Sequence, residues 1–234
     1  LMEALPRLAM DASVRCVVLT GAGSAFCAGG DVKGFAAASD GSGASAPTTV
    51  EQRAQALRPG FDVSRMLHEM PKPTLAAIPG AAAGAGCSLA LACDLRIAVD
   101  SAKITTAFSK VGLSGDYGMS YFLPLLVGHT KARELMFTAQ VITGEQALAL
   151  GMINQSVTAE AFPEAVSAMA TQLAALPTVA LGYMKKNLNA SNTQSLSQIL
   201  DSEAMSMARC FTTDDHKGAS QAFVEKRAPE FKGR

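Results

Sequence analysis

The chain has 234 residues, 49% of them hydrophobic, and its 20 basic residues balance 20 acidic ones. That is enough chain to bury a full core as one domain with a small appendage. Zero net charge removes the electrostatic case for nucleic acid as the main partner, no apolar run has the length of a membrane span, and no segment reads as a signal peptide.

The chain opens on Leu1 rather than Met, and residues 1–8 read as the middle of a helix, so a natural N-terminal segment is expected to be missing. Residues 14–20 form a β-branched run that reads as a buried strand. Residues 51–70 read as a helix, ended by Pro71 and Pro73. A second strand is expected over 74–78, a helix over 85–92 and a third strand over 95–99. Residues 118–127 and 131–139 look helical. Thr143 and Gln146 make a capping box, and Gly151 sits where a left-handed residue ends that helix. A last short strand is expected over 154–157. This alternation predicts an α/β protein.

After Pro177 the strands stop, and 179–190, 194–211 and 215–226 read as helices. Their apolar faces need a surface to cover, in this or another subunit. The chain therefore divides into a core, 1–177, and a helical region, 178–234. Residues 36–47 are low-complexity, and read either as a mobile loop beside a ligand site or as a plain surface insertion.

Cys16, Cys27, Cys87, Cys93 and Cys210 form no CxxC pair. An odd, scattered set points to reduced thiols and a cytoplasmic protein. His68, His129 and His216 are far apart in sequence, which argues against a metal site.

Two small-residue segments are the candidates for chemistry. Ala25-Phe26-Cys27-Ala28-Gly29-Gly30-Asp31 follows the first strand, and Gly80-Ala81-Ala82-Ala83-Gly84-Ala85-Gly86-Cys87 follows the second. Where side chains shrink to Gly and Ala, another molecule can approach the main chain closely. Two converging N–H groups there would make an oxyanion hole, one of them at a helix N-terminus where donors are free. Dinucleotide binding is the weaker reading. Gly21-Ala22-Gly23 and Gly84-Ala85-Gly86 both lack the third glycine at the required offset. A serine hydrolase needs a GxSxG elbow, and none is present, so Ser88 and Ser114 read as structural.

Several motifs in order resemble the enoyl-CoA hydratase/isomerase (crotonase) family. They are Phe26-Cys27-Ala28-Gly29-Gly30-Asp31-Val32-Lys33, Lys72-Pro73-Thr74 through Pro79-Gly80, and Gly84-Ala85-Gly86-Cys87-Ser88 through Cys93-Asp94. Gly112-Leu113-Ser114-Gly115-Asp116-Tyr117-Gly118 and Phe223-Val224-Glu225-Lys226-Arg227 continue the match. The resemblance implies a spiral of ββα units followed by a C-terminal helical trimerisation region, here without the family's opening hairpin. It implies an acyl-CoA substrate, coenzyme A entering only as part of that substrate, and a homotrimer or dimer of trimers. By position, the oxyanion donors would be the N–H groups of Gly30 and Ala85. Ala28, Gly29 and Val32 would accommodate the adenine end, with Lys33 near phosphate. Phe223 and Lys226 match positions that reach the nucleotide, often across a subunit boundary. Solvated surface lysines are the plainer reading of Lys33 and Lys226.

The match breaks at the carboxylates. The two positions that hold glutamates in typical hydratases hold Ser88 and Phe108 here. A carboxylate appears instead at Asp116, as in family members that open rings or remove halogen from aromatic rings, where it serves as base or nucleophile. Its bland reading is a turn or N-cap aspartate. Its functional reading is an acid/base group in an apolar pocket lined by Phe108, Tyr117 and Phe122, with basicity raised by desolvation. One such group suffices to shift a double bond, whereas water addition ordinarily uses two. The resemblance therefore leans to isomerisation over hydration. A non-catalytic acyl-CoA-binding or scaffold role is the alternative, and Ser88 and Phe108 are its support.

Overall fold

The computed structural model describes residues 1–31, Gly34 and residues 49–234. Val32, Lys33 and the low-complexity stretch 36–47 lie outside the described residues. A short helix α1 (Ala4–Met10) leads into strand β1 (Val17–Thr20), and the long helix α2 (Val50–Glu69) follows. Then come β2 (Thr74–Ile78), β3 (Ala82–Ala83), α3 (Ala85–Ala92), β4 (Leu95–Val99) and β5 (Ile104–Thr105). A 3-10 turn (Phe108–Val111) precedes α4 (Met119–Thr138), α5 (Gly144–Ala149) and β6 (Gln155–Val157). Helices α6 (Phe162–Ala175), α7 (Thr178–Ala190), α8 (Leu196–Phe211) and α9 (Asp214–Val224) complete the chain.

The main sheet has four strands in the order β1-β2-β4-β6, and β3 pairs with β5 in a second, two-stranded sheet. Every pairing between these strands is parallel. A parallel sheet covered on both faces carries unbroken apolar runs rather than alternation. All five residues of β2 are buried accordingly. This α/β architecture matches the sequence expectation. The parallel order also brings the chain leaving β1 beside the chain leaving β2, and ligands of such sheets bind beyond the C-terminal strand ends.

Several elements differ from the sequence reading. β1 begins at Val17, not residue 14, because the Val14 N–H closes a turn onto the Asp11 carbonyl, 3.1 Å away. The two helices expected over 118–127 and 131–139 are arms of one bent element, α4, broken at Gly128 (φ 75°, ψ 159°). The last strand is Gln155–Val157, one residue shorter at its start than expected. α6 has no counterpart in the sequence reading, nor do the two-residue strands β3 and β5 or the 3-10 turn.

The C-terminal helices are pinned to the core by one buried cation. Lys185 of α7 donates to Asp94 Oδ2 and the Leu67 carbonyl, each at 2.8 Å, and to the Lys72 carbonyl at 3.2 Å. Asp94 also accepts from the Thr74 N–H and hydroxyl. A Cβ on Gly182 would lie 2.8 Å from the Pro71 carbonyl oxygen, so α7 comes this close only with glycine there. The chain end returns to the same region, where Arg15 donates to the Phe231 and Leu176 carbonyls. Beyond this contact α8 and α9 leave Leu196, Leu200, Met205, Met207, Phe211, Phe223 and Val224 exposed.

Candidate active site

The two small-residue segments are hydrogen-bonded together. The Phe26 and Cys27 N–H groups both donate to the Ala81 carbonyl, and the Ala83 N–H donates to the Cys27 carbonyl. Close approach demands glycine at several points. A Cβ on Gly86 would lie 2.3 Å from the Cys27 carbonyl oxygen, and one on Gly80 would lie 2.0 Å from that of Ser24. Gly29 has φ +93°, and a Cβ there would sit 2.7 Å from the Ala83 oxygen and 3.6 Å from the Ala85 nitrogen. The Gly29-Gly30 turn therefore lies directly against the start of α3.

Ala85 is the first residue of α3, and Gly84 (φ 52°, ψ −123°) caps it without a side chain. The first intrahelical bond runs from the Ser88 N–H to the Gly84 carbonyl at 3.0 Å. The Ala85 N–H precedes it and is one of the unpaired donors of the helix start. Ala28 and Gly30 are exposed, and Gly29 and Ala85 are half-buried, so a ligand can reach this edge.

Asp116 comes from the turn between the 3-10 element and α4. Four residues of that turn have positive φ: Gly112, Gly115, Tyr117 and Gly118. Glycine adopts this geometry freely, but Tyr117, at φ 44°, is strained, and such strain gathers at functional sites. Asp116 does not cap α4. The cap position is Gly118, which offers no side chain, and Asp116 uses only its carbonyl there, accepting from Met119 N–H at 3.0 Å. The carboxylate instead turns to α3, where the Ser88 hydroxyl lies 3.5 Å from Oδ1. Burial raises the Asp116 pKa above its ordinary value, and the Ser88 hydroxyl pulls it part of the way back.

The apolar surroundings are partly those expected. Phe108 is buried, and its ring edge lies 3.8 Å from where a Gly84 Cβ would be. Tyr117 stands edge-on to Phe61 of α2, with ring centroids 4.9 Å apart. Its phenol is raised by burial, then by the negative charges of Asp116 and Cys27. Phe108 thus lies against the start of α3, and Asp116 meets Ser88 one turn in. Phe122 follows in the first turn of α4. Its ring folds back over Gly118 and meets His68 and Tyr121. It lines a cavity of about 640 Å³ with Arg58, Arg65 and His68 of α2 and Asn189 of α7, and neither Asp116 nor Ser88 lines it. Phe223 is 85% exposed at the end of α9. Lys226, also exposed, follows in a left-handed conformation. Sequence reasoning missed the Ser88–Asp116 contact, which joins residues 28 apart.

Burial disfavours the thiolate form of three cysteines. Burial pushes Cys87 and Cys93 up to about 12 and Cys16 up to about 11. Among the described residues no three His, Cys, Asp or Glu side chains cluster as a metal site would need.

The enoyl-CoA hydratase/isomerase family model matches residues 1–234. The chain belongs to the enoyl-CoA hydratase/isomerase family. It is 36% identical to a 1,2-epoxyphenylacetyl-CoA isomerase of Escherichia coli over 234 residues, which is all of this chain and 87% of that protein. It is 34% identical to 4-chlorobenzoyl coenzyme A dehalogenase-1 of an Arthrobacter species over 206 residues, 88% of this chain and 72% of that one. Among solved structures, one of a putative enoyl-CoA hydratase from Streptomyces coelicolor superposes with a TM-score of 0.90 at 33% identity, covering all of this chain and 83% of that one. The fold is therefore the crotonase fold, and this family member is an enzyme of a family that acts on acyl-CoA.

Proposed function

We propose that the protein moves a proton at the α-carbon of an acyl-CoA thioester, with Asp116 as the acid/base group and the N–H groups of Gly30 and Ala85 as oxyanion donors. The observation that carries this reading is the placement of Asp116. A half-buried carboxylate with a raised pKa sits beside the free N-terminus of α3, held by Ser88 rather than used as a helix cap. Asp116 removes the α-proton, the C–H electron pair moves into the thioester, and negative charge develops on the thioester oxygen. Preorganised donors at that oxygen each offset roughly 3 kcal/mol of barrier. The protonated carboxyl then returns the proton at another carbon, which shifts the double bond.

Isomerisation is preferred to hydration because, among the described residues, Asp116 is the one carboxylate in contact with Ser88 of α3. Ser88 and Phe108 occupy the positions where typical hydratases resemble one another in carrying glutamate, and neither can act as a second acid at neutral pH. The epoxyphenylacetyl-CoA isomerase name of a relative supports the same reading. Coenzyme A enters only as part of the substrate. Ala28 and Gly29 would face its adenine end, with Val32 and Lys33 following them in sequence. The exposed apolar residues of α8 and α9 support a trimer or dimer of trimers in which Phe223 and Lys226 reach a neighbour's nucleotide. A monomer by light scattering at micromolar concentration would contradict that assembly.

The test is a panel of enoyl-CoAs with the double bond at different positions, incubated with the protein in deuterated water and followed by mass. The expected result is a shifted double bond with deuterium gained and no water added. A product heavier by one water, formed at a higher rate than the isomer, would make it a hydratase. A protein that binds the thioesters without exchange or turnover would be the non-catalytic scaffold.

A further inference from the structure

The Ser88 side chain is fully buried, and its hydroxyl has two acceptors within reach. One is the Gly84 carbonyl oxygen at 3.2 Å, and the other is Asp116 Oδ1 at 3.5 Å. A hydroxyl carries one proton, so it donates to one of them at a time. The Gly84 carbonyl and the Ala85 N–H belong to the same peptide unit. A hydrogen bond to that carbonyl polarises the peptide and strengthens its N–H as a donor. Ser88 therefore touches both the carboxyl and the far side of the peptide that faces the oxyanion.

We propose that the Ser88 hydroxyl is a positioning group that couples the Asp116 carboxyl to the Gly84–Ala85 peptide by swinging between them. This rests on the function proposed above. With Asp116 ionised, the hydroxyl donates to the carboxylate and holds it toward the substrate. When Asp116 takes the α-proton, the carboxyl becomes neutral and the substrate oxygen becomes negative. The hydroxyl then turns to the Gly84 carbonyl and sharpens the Ala85 N–H as enolate charge develops. Ser88 keeps its own proton throughout.

The groups that face Asp116 leave Ser88 as its one polar side-chain partner among the described residues. From its own turn comes the Tyr117 phenol, and from the turn after β1 comes Cys27, which acts on Tyr117. From α3 comes Ser88, and from the 3-10 turn the apolar Phe108. α2 turns Phe61 to Tyr117, and its Arg58, Asp62 and Arg65 are paired with one another. α4 packs Met119, Ser120 and Met136 around Gly115. Among the described residues no lysine, arginine or histidine charge acts on the carboxyl.

The test is the infrared stretch of butyryl-CoA, carbon-13-labelled at the thioester carbonyl, bound to the protein across the titration of Asp116. In the wild type the carbonyl frequency should fall as Asp116 is protonated, because the hydroxyl moves to Gly84 and the Ala85 N–H pulls harder. Asp116→Asn should sit at the low frequency at every pH. In Ser88→Ala, which keeps the Ser88 backbone bond to Gly84, the step should shrink to less than half. Its acid limb for α-proton exchange should also move up by about half a unit to one unit, since a donor to the carboxylate is lost. If Ser88→Ala fails to fold, Ser88→Cys, a weaker donor of similar size, is held to the same criterion. A step of half the wild-type size or more in the variant overturns the coupling. So does a wild-type complex with no step, even if α-proton exchange is intact and the proposed function stands. Absence of both binding and exchange overturns the function and the coupling together.

Discussion

Two partly buried polar clusters lie at opposite ends of the parallel sheet, and they are built differently. At the start of β2 and β4, Lys185, Asp94 and Thr74 satisfy one another and three backbone groups, with bonds of 2.8 to 3.2 Å. Arg96 beside them donates to the Met152 and Cys93 carbonyls. At the far ends of β1 and β2, Ser88 and Asp116 share one contact of 3.5 Å, and the Ala85 N–H stands free at the helix start. A cluster with every bond made is a clamp, and its net worth shows only when a member is removed. A cluster with bonding capacity left over has something still to hold. The contrast separates the residues that fix the C-terminal helices from those offered to a substrate.

Breaking the sparse cluster should cost activity. Ala85→Pro removes the helix-start donor, and proline is tolerated at the first residue of a helix. Exchange of α-protons should fall by about 10²–10³-fold with the far-ultraviolet circular dichroism unchanged. A fall of less than threefold would take Ala85 out of the oxyanion site.

Breaking the saturated cluster should cost stability. Lys185→Met leaves the partly buried Asp94 without its cation and two carbonyls without a donor. Denaturant unfolding should show a loss of about 3–5 kcal/mol. A variant that unfolds at the wild-type midpoint would mean the cluster does not pin α7.

A smaller effect sharpens the comparison by pH. Asp116 acts as base only when ionised, and burial raises its pKa. The acid limb of α-proton exchange should therefore lie above the ordinary carboxylate range, near 3.9–4.3, and activity should be lost as pH falls through it. A limb within the ordinary range would show that Asp116 works fully solvated.

What the sequence makes legible is what is local. Strands 74–78 and 95–99 and helix 85–92 follow from β-branched and small apolar runs, and the structure has them at those bounds. The Thr143–Gln146 capping box is a three-residue relation and is present. So are boxes at Thr49–Gln52 and Ser195–Gln198, which the same rule would have found. β3 and β5 hold two residues each and exist only because distant chain pairs with them. The Lys185–Asp94 pair spans 91 residues, and no periodicity points to it. At the site, the family motifs place Asp116 and Ser88 separately, but only the left-handed turn from Gly112 to Gly118 decides that the carboxylate leaves the helix cap and meets Ser88.

The most direct test of the central claim compares wild type with Asp116→Asn in deuterated water, reading deuterium at the α-carbon of a bound acyl-CoA by mass. The substitution keeps size and packing and removes the proton acceptor. The account predicts that exchange falls by about 10²–10⁴-fold while thioester affinity changes little. Exchange at the wild-type rate in Asp116→Asn would contradict it.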